Sequence, residues 1–192
     1  MIFRWHRREA RIFGKLLLAF MTLPGMATAT RAAPWAPTRE CDVKPRGDVG
    51  LLPAARQALE SGGIGHRITR TLDADPSPKN YHGTDVTIDG HAYTSAVDLS
   101  VRCMNDDGIR QLLAELARLG FAAWYRQDGK DGWTGANHVH AVWASKPLKH
   151  QLQGQVCSWL NGRTGLKGDG VYHFWQPSPE QRAAIKATNQ KS

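Results

Sequence analysis

The spacing of apolar residues predicts four helices along this 192-residue chain. The clearest begins at Asp106-Asp107, which supply the cap and the acidic first turn, and stops at Gly120. Its apolar positions recur at helical spacing and are Ile109, Leu112, Leu113, Leu116 and Leu119. The other predicted helices cover Leu51 to Ser61, Pro147 to Leu160 and Ser178 to Ala187.

Alternating and β-branched stretches between these helices predict strands. They cover Arg67 to Leu72, Ala96 to Val101, Phe121 to Arg126 and Asn137 to Trp143. Asp89-Gly90, directly after Val86-Thr87-Ile88, predicts a hairpin turn, and Asp73 to Gly83 predicts a loop. Helices and hairpins are mixed rather than strictly alternating, so the pattern predicts an α+β fold with a small antiparallel sheet flanked by helices.

Polar side chains interrupt two of the predicted strands. Asp98 stands in the otherwise apolar strand from Ala96, where a buried carboxylate is costly without a partner such as a metal ion or an arginine. His138 and His140 are two residues apart on a strand and therefore share a face. His91 precedes Asp98 by seven residues, an odd separation, so we expect it in the loop after Gly90 or beyond a bulge.

Imidazoles and a carboxylate are ligands that zinc uses in proteins, and these residues predict a metal site. Simpler interpretations stay open: His138 and His140 would then be an ordinary polar strand face, and His91 a turn residue. His82, in Tyr81-His82-Gly83, is close enough along the chain to replace His91 as a ligand.

The same residues resemble the metallopeptidase superfamily that joins lysostaphin-type endopeptidases, D-Ala-D-Ala carboxypeptidases and dipeptidases, and the hedgehog signalling domain. Its carboxypeptidase branch carries His-x-x-Gly-x-Ala-x-Asp and then a later histidine, and His91, Ala96, Asp98 and His140 fall on those positions. This resemblance covers about the central third of the chain. It implies a hedgehog/DD-peptidase-like fold with one zinc ion bound by His91, Asp98 and His140, and with His138 as the catalytic residue.

For an exported member, the resemblance implies a zinc metallopeptidase that hydrolyses peptide bonds of peptidoglycan stem peptides or cross-bridges. Trp133 and Trp143 are candidates to border the cleft, and Arg67 or Arg70 to hold a substrate carboxylate.

Two departures from the family pattern favour an alternative function. Asn137 stands where the carboxypeptidase branch has an acidic base, and Thr94 stands where it has glycine. The alternative is a catalytically degenerate zinc-bearing module that binds cell wall or an exported protein partner. A cupin-like metal barrel also uses His-x-His but fits poorly, because the glutamate expected after that element is missing from residues 141–146.

Residues 1–29 have the layout of a secretory signal peptide. Five basic residues precede a short apolar run, and Ala27-Thr28-Ala29 offers a cleavage site. The run is shorter than the roughly twenty residues needed to span a bilayer. We therefore expect an exported protein, periplasmic or secreted, with no stable membrane insertion after cleavage. Residues 30–48 then read as an N-terminal arm and residues 49–192 as one domain.

Charge and cysteine content limit the partners and the compartment. Cleavage after Ala29 removes five basic residues and one acidic residue, which lowers the formal net charge from +8 to +4 and does not argue for nucleic acid. Cys41, Cys103 and Cys157 would meet an oxidising compartment, so we expect one disulfide. Cys157 falls on the apolar side of a predicted helix, which leaves Cys41 with Cys103 as the preferred pair.

Overall fold

The computed structural model describes residues 32–36, 49–75, 77, 79–145 and 147–190. Four α-helices lie in this part of the chain: α1 (Pro53–Ser61), α2 (Asp106–Arg118), α3 (His150–Leu160) and α4 (Pro179–Gln190). A short 3₁₀ turn, Gly65–Arg67, follows α1. None of the described helices is long and apolar enough to cross a membrane.

Four antiparallel strands form the central sheet, and their order confirms the predicted α+β class. The strands are β1 (Ile68–Arg70), β4 (Ala96–Ser100), β5 (Phe121–Arg126) and β6 (His138–Trp143), arranged in the order β1-β4-β6-β5. Two shorter strands, β2 (Val86–Ile88) and β3 (His91–Tyr93), form a separate hairpin. Its turn residues Asp89 and Gly90 have φ of 50° and 79°, as the predicted two-residue turn requires.

Each face of the central sheet packs against a different pair of helices. One face carries Val97, Ala123 and Val139, which pack with the apolar sides of α1 and α2. The other face carries Ala122 and Val142, which pack with α3 and α4. Because side chains alternate along a strand, the second face also receives Asp98 and the two histidines of β6.

Element boundaries differ from the predictions mainly at helix ends. Asn105, rather than Asp106, caps α2, with its Oδ1 accepting a hydrogen bond from the backbone N–H of Gly108 at 2.9 Å. The final helix continues past Ala187 to Gln190. Ends are where sequence patterns are weakest, since capping side chains and tertiary contacts decide them.

The predictions for the N-terminal region and the cysteines are only partly covered by the described residues. The proposed signal peptide (1–29) and most of the proposed arm (30–48) lie outside them. Cys103 is disulfide-bonded, while its predicted partner Cys41 lies outside the described residues. Cys157 is a free thiol and is exposed. The expectation that Cys157 lies on the apolar side of its helix was wrong: the buried side chains of α3 are Leu152, Gln155, Val156 and Trp159.

Candidate metal centre

The candidate site lies at the polar end of the sheet face that α3 covers. Across the sheet, Asp98 is paired with His140, and His140 with Trp124. The next row on the same face pairs His138 with Ser100 on one side and with Arg126 on the other. The predicted shared face of His138 and His140 is thus confirmed, and β4 brings Asp98 directly beside them.

One carboxylate oxygen, Oδ1 of Asp98, is the centre of this arrangement. His140 Nδ1 lies 2.9 Å from it, His82 Nε2 3.2 Å and His138 Nε2 3.6 Å. Asp98 is only 6% exposed, and His82 and His140 are equally buried. Three imidazole nitrogens therefore converge on a single oxygen that water hardly reaches.

The outer nitrogen of each ring faces a carbonyl-type oxygen. His82 Nδ1 lies 2.9 Å from the Thr71 carbonyl oxygen, and His138 Nδ1 lies 2.8 Å from that of Ala136. A carbonyl oxygen can only accept, so the hydrogen of each neutral ring is placed on the outer nitrogen. The inner nitrogen of His82 and of His138 then presents a lone pair toward Asp98.

The outer nitrogen of His140 also faces an oxygen acceptor, in this case the side-chain oxygen of Gln155. Its Nε2 lies 3.1 Å from Gln155 Oε1, and Gln155 Nε2 donates to the Gly165 carbonyl oxygen at 3.4 Å. Turning the amide over would bring two oxygens together at Gly165, so Oε1 is the atom that faces His140. Neutral His140 then donates from Nε2 and leaves a lone pair on Nδ1.

A cation could be held by three of these groups. His82, Asp98 and His140 each offer one ligand atom, and these atoms lie within 4.8 Å of one another, so the group could hold a metal ion. Two ligands at typical zinc distances in a tetrahedral site are roughly 3.3 Å apart, close to the 3.2 Å between His82 and Asp98. Carbonyl or carboxylate partners on the outer nitrogens of histidine ligands are typical of metal sites.

The electrostatics of the buried pair agree with this interpretation. Without a metal ion, the rings of His140 and His82 can place an N–H toward Asp98 instead. Burial alone would raise the pKa of Asp98, but such hydrogen bonds outweigh it and hold that pKa far below its usual range. Burial lowers the pKa of His140 against the opposing effect of Asp98. Both directions favour an ionised carboxylate beside a neutral imidazole, which are the forms that bind metal.

His82 is held in place by the loop between β1 and β2. Asp73 receives a paired hydrogen bond from Arg70 Nε and Nη2, at 2.8 and 2.7 Å, and a further one from Asn80 Nδ2. The Asn80 side chain in turn accepts from the backbone N–H of His82 at 3.1 Å. Asp73 donates its own backbone N–H to the His82 carbonyl oxygen at 3.0 Å. This network turns the His82 ring inward.

The predicted ligand His91 is not part of the cluster. It is the first residue of β3 and is exposed to solvent on the separate hairpin. The structure brings together the predicted residues Asp98, His138 and His140, and it adds His82 in the place expected for His91. Within the described part of the chain, β3 pairs only with β2, in a sheet separate from the one that carries Asp98 and His140.

A small cavity of about 100 Å³ opens beside the cluster. Tyr81, Trp133 and Leu166 line it, together with the cluster and with Arg70, Asn80, Arg126 and Gln155. Trp133 thus borders the cleft as expected, with its ring 5.1 Å from that of His138. Trp143 does not, because it packs edge-on against Phe121.

Asn137 takes no part in the cavity lining. Its Oδ1 accepts the backbone N–H of Asp128 at 2.8 Å and so fastens the loop before β6. Among the described residues that line the cavity, Asp98 is the only carboxylate. The described lining therefore contains imidazoles but no second carboxylic acid.

Gln155 and Arg126 are two site residues that the sequence reasoning missed. Gln155 shares the inward helical spacing of Leu152, Val156 and Trp159, so a polar residue on an apolar face was the available signal. Arg126 ends β5, whose six residues are all buried. A charge within a buried strand was the corresponding signal there.

Loss of the Gln155 side chain should weaken metal binding without unfolding the protein. Gln155→Leu removes the acceptor for His140 Nε2, and loss of such an outer partner typically costs about 10- to 100-fold in metal affinity. Gln151→Leu, on the same helix but outside the cavity, is the matched control. Competition with a chromogenic chelator measures both affinities; equal values for the two variants would contradict this role for Gln155.

Comparison with known proteins adds no relative to this description. No protein-family model, curated protein or solved structure matches the chain. The kinship with the metallopeptidase superfamily therefore stays a hypothesis that rests on the residues of the site.

Proposed function

We propose that this protein is an exported zinc metallopeptidase that hydrolyses peptide bonds of peptidoglycan stem peptides or cross-bridges. The observation that carries the proposal is the convergence of three imidazole nitrogens on Asp98 Oδ1 at the wall of a cavity. The α+β fold with its small antiparallel sheet is compatible with the hedgehog/DD-peptidase-like architecture that we infer.

The ligand set favours zinc over harder cations. Two imidazoles and one carboxylate suit zinc, whereas magnesium and calcium prefer oxygen ligands throughout. Three protein ligands also leave a coordination position open, as in catalytic rather than structural zinc sites. A zinc ion bound there would supply Lewis-acid chemistry, polarising the scissile carbonyl and activating a water molecule.

His138 is the residue that we assign to proton transfer. Its Nε2 is 3.6 Å from Asp98 Oδ1, which is too long for a hydrogen bond, and its side chain is 15% exposed, more than those of His82 and His140. His138 would accept a proton from the attacking water and deliver it to the leaving amine. The carbonyl carbon thereby gains the water oxygen as a hydroxyl group, the C–N bond breaks, and the nitrogen leaves as an amine that carries the transferred proton.

The first experiment is elemental analysis of protein purified without immobilised-metal affinity, combined with a digest of purified peptidoglycan. We expect about one zinc per chain and release of soluble peptide or amino-acid fragments. No metal after zinc is offered would overturn the metal site. Zinc without fragments, with the protein sedimenting with the sacculi, would favour the alternative of a non-catalytic module that binds cell wall.

A further inference from the structure

We propose that Arg126 forms an anion-binding subsite beside the candidate metal ligands His82, Asp98 and His140. This subsite would bind a free carboxylate group of the substrate. The identity of the substrate as a peptide rests on the proposed function; the subsite itself rests on the geometry of Arg126. Because the candidate metal ligands line the same cavity, this arrangement favours cleavage of a peptide next to its free C-terminus over cleavage in its interior.

Arg126 is a buried cation with an unused donor. Its side chain is 2% exposed, and its Nη1 donates to the Thr164 carbonyl oxygen at 2.8 Å. Its Nη2 has no hydrogen-bond partner among the described residues. Burial lowers the pKa of Arg126 to about 10, which still leaves the guanidinium charged at neutral pH. An unpaired buried charge is costly, and an anionic ligand would offset that cost.

The position of Arg126 connects this donor to the reaction site. It lies opposite His138 on the neighbouring strand, and both residues line the cavity. Its guanidinium lies over the Trp124 ring, 5.0 Å from the centroid, and Trp124 is itself stacked beside His140. The guanidinium is therefore fixed on one wall of the cavity that also contains the ligand atoms.

The two arginines suggested by the sequence already have partners within the protein. Arg67 is 2% exposed and donates to three carbonyl oxygens, those of Trp35, Ser100 and Arg102. Arg70 also lines the cavity, but its Nε and Nη2 donate to Asp73 and its Nη1 lies 3.8 Å from Asp98 Oδ2. No carboxylate of the described residues comes within 4.0 Å of the Arg126 guanidinium, so its charge is available to a ligand.

The recognition chemistry is that of a guanidinium with a carboxylate. A hydrogen bond to a charged group contributes about 1.5 to 3 kcal/mol, which corresponds to roughly 10- to 100-fold in affinity. A ligand that ends in a carboxylate should therefore bind more tightly than its uncharged amide by that factor. The same preference should appear in KM when the ligand is a substrate.

The test is equilibrium binding of N-acetyl-D-alanine and of N-acetyl-D-alaninamide to the zinc-loaded protein, measured by calorimetry. In the unaltered protein, we expect the acid to bind at least 10-fold more tightly than the amide. Arg126→Met should bring that ratio close to one while binding of the amide stays unchanged. Arg126→Lys keeps the charge and serves as the second variant in case the methionine variant is unstable. We expect it to show an intermediate ratio.

Arg118→Met is the matched control, because Arg118 is exposed on α2 and outside the cavity lining. A ratio that survives in both Arg126 variants at full zinc content would mean that another group, the metal ion or Arg70, holds the carboxylate, and it would overturn the subsite. An unaltered protein that does not distinguish acid from amide would do the same. Because no turnover is needed, a protein that shows the Arg126-dependent preference but hydrolyses nothing would contradict only the peptidase proposal.

Discussion

Replacing His82 with alanine should cost the protein its metal, whereas replacing His91 with alanine should leave metal binding intact. His82 Nε2 is 3.2 Å from Asp98 Oδ1 inside the buried cluster, while His91 is exposed on the separate hairpin. Removing a ligand should weaken binding by more than the roughly 100-fold upper value for an outer partner. Zinc content after dialysis, and affinity from chelator competition, measure the difference.

The two substitutions distinguish the ligand set indicated by the structure, with His82, from the set implied by the family spacing, with His91. Both variants lose one imidazole, so general effects of losing a histidine are matched. If His91→Ala lost the metal and His82→Ala kept it, the hairpin would have to fold back over the sheet, and the site described above would be wrong. His140→Ala serves as a positive control, because both interpretations assign His140 as a ligand.

Replacing His138 with alanine should abolish most peptide hydrolysis while zinc is retained. General acid–base catalysis typically contributes about 10²- to 10⁴-fold, and the described residues of the cavity lining include no second carboxylate to take over the proton. The expected result is a fall in kcat of that size with near-normal zinc content. His173→Ala, at an exposed position outside the cavity, is the control.

A rate that survives His138→Ala would remove His138 from the chemistry. A simultaneous loss of zinc would instead make His138 a metal ligand, which its 3.6 Å separation from Asp98 Oδ1 argues against. Zinc content and folding measured on the same preparation separate catalysis from a structural role, since loss of proton transfer should lower kcat and leave both unchanged.

Much of the fold was predictable because its signals are local. The apolar spacing of α2, the turn at Asp89 and Gly90, and the alternation along β6 each depend on neighbours in sequence. Helix ends were less accurate, since Asn105 caps α2 through its own side chain. The expectation for Cys157 was wrong for a related reason: only packing decides which side of a weakly amphipathic helix faces inward.

The candidate site was predictable in part. Asp98 and His140 were identified because a carboxylate and an imidazole interrupt apolar strands, and their side-by-side register then follows from the antiparallel pairing of β4 with β6. His82 was only an alternative, because a loop residue has no periodicity that fixes the direction of its side chain. Its inward orientation depends on Asp73, Asn80 and Thr71, which lie 2 to 11 residues away along the chain and act through hydrogen bonds.

The sequence by itself determined the α+β class, the strand that holds His138 and His140 on one face, and the need of Asp98 for a partner. Only the tertiary structure decided that His82, and not His91, lies beside Asp98. It also decided that Gln155 supports His140, and that Arg126 lies at the cavity with a donor that no described residue accepts from. The reason is physical: periodicity reports which side of an element is apolar, whereas a metal site requires atoms from distant segments to meet within a few ångströms.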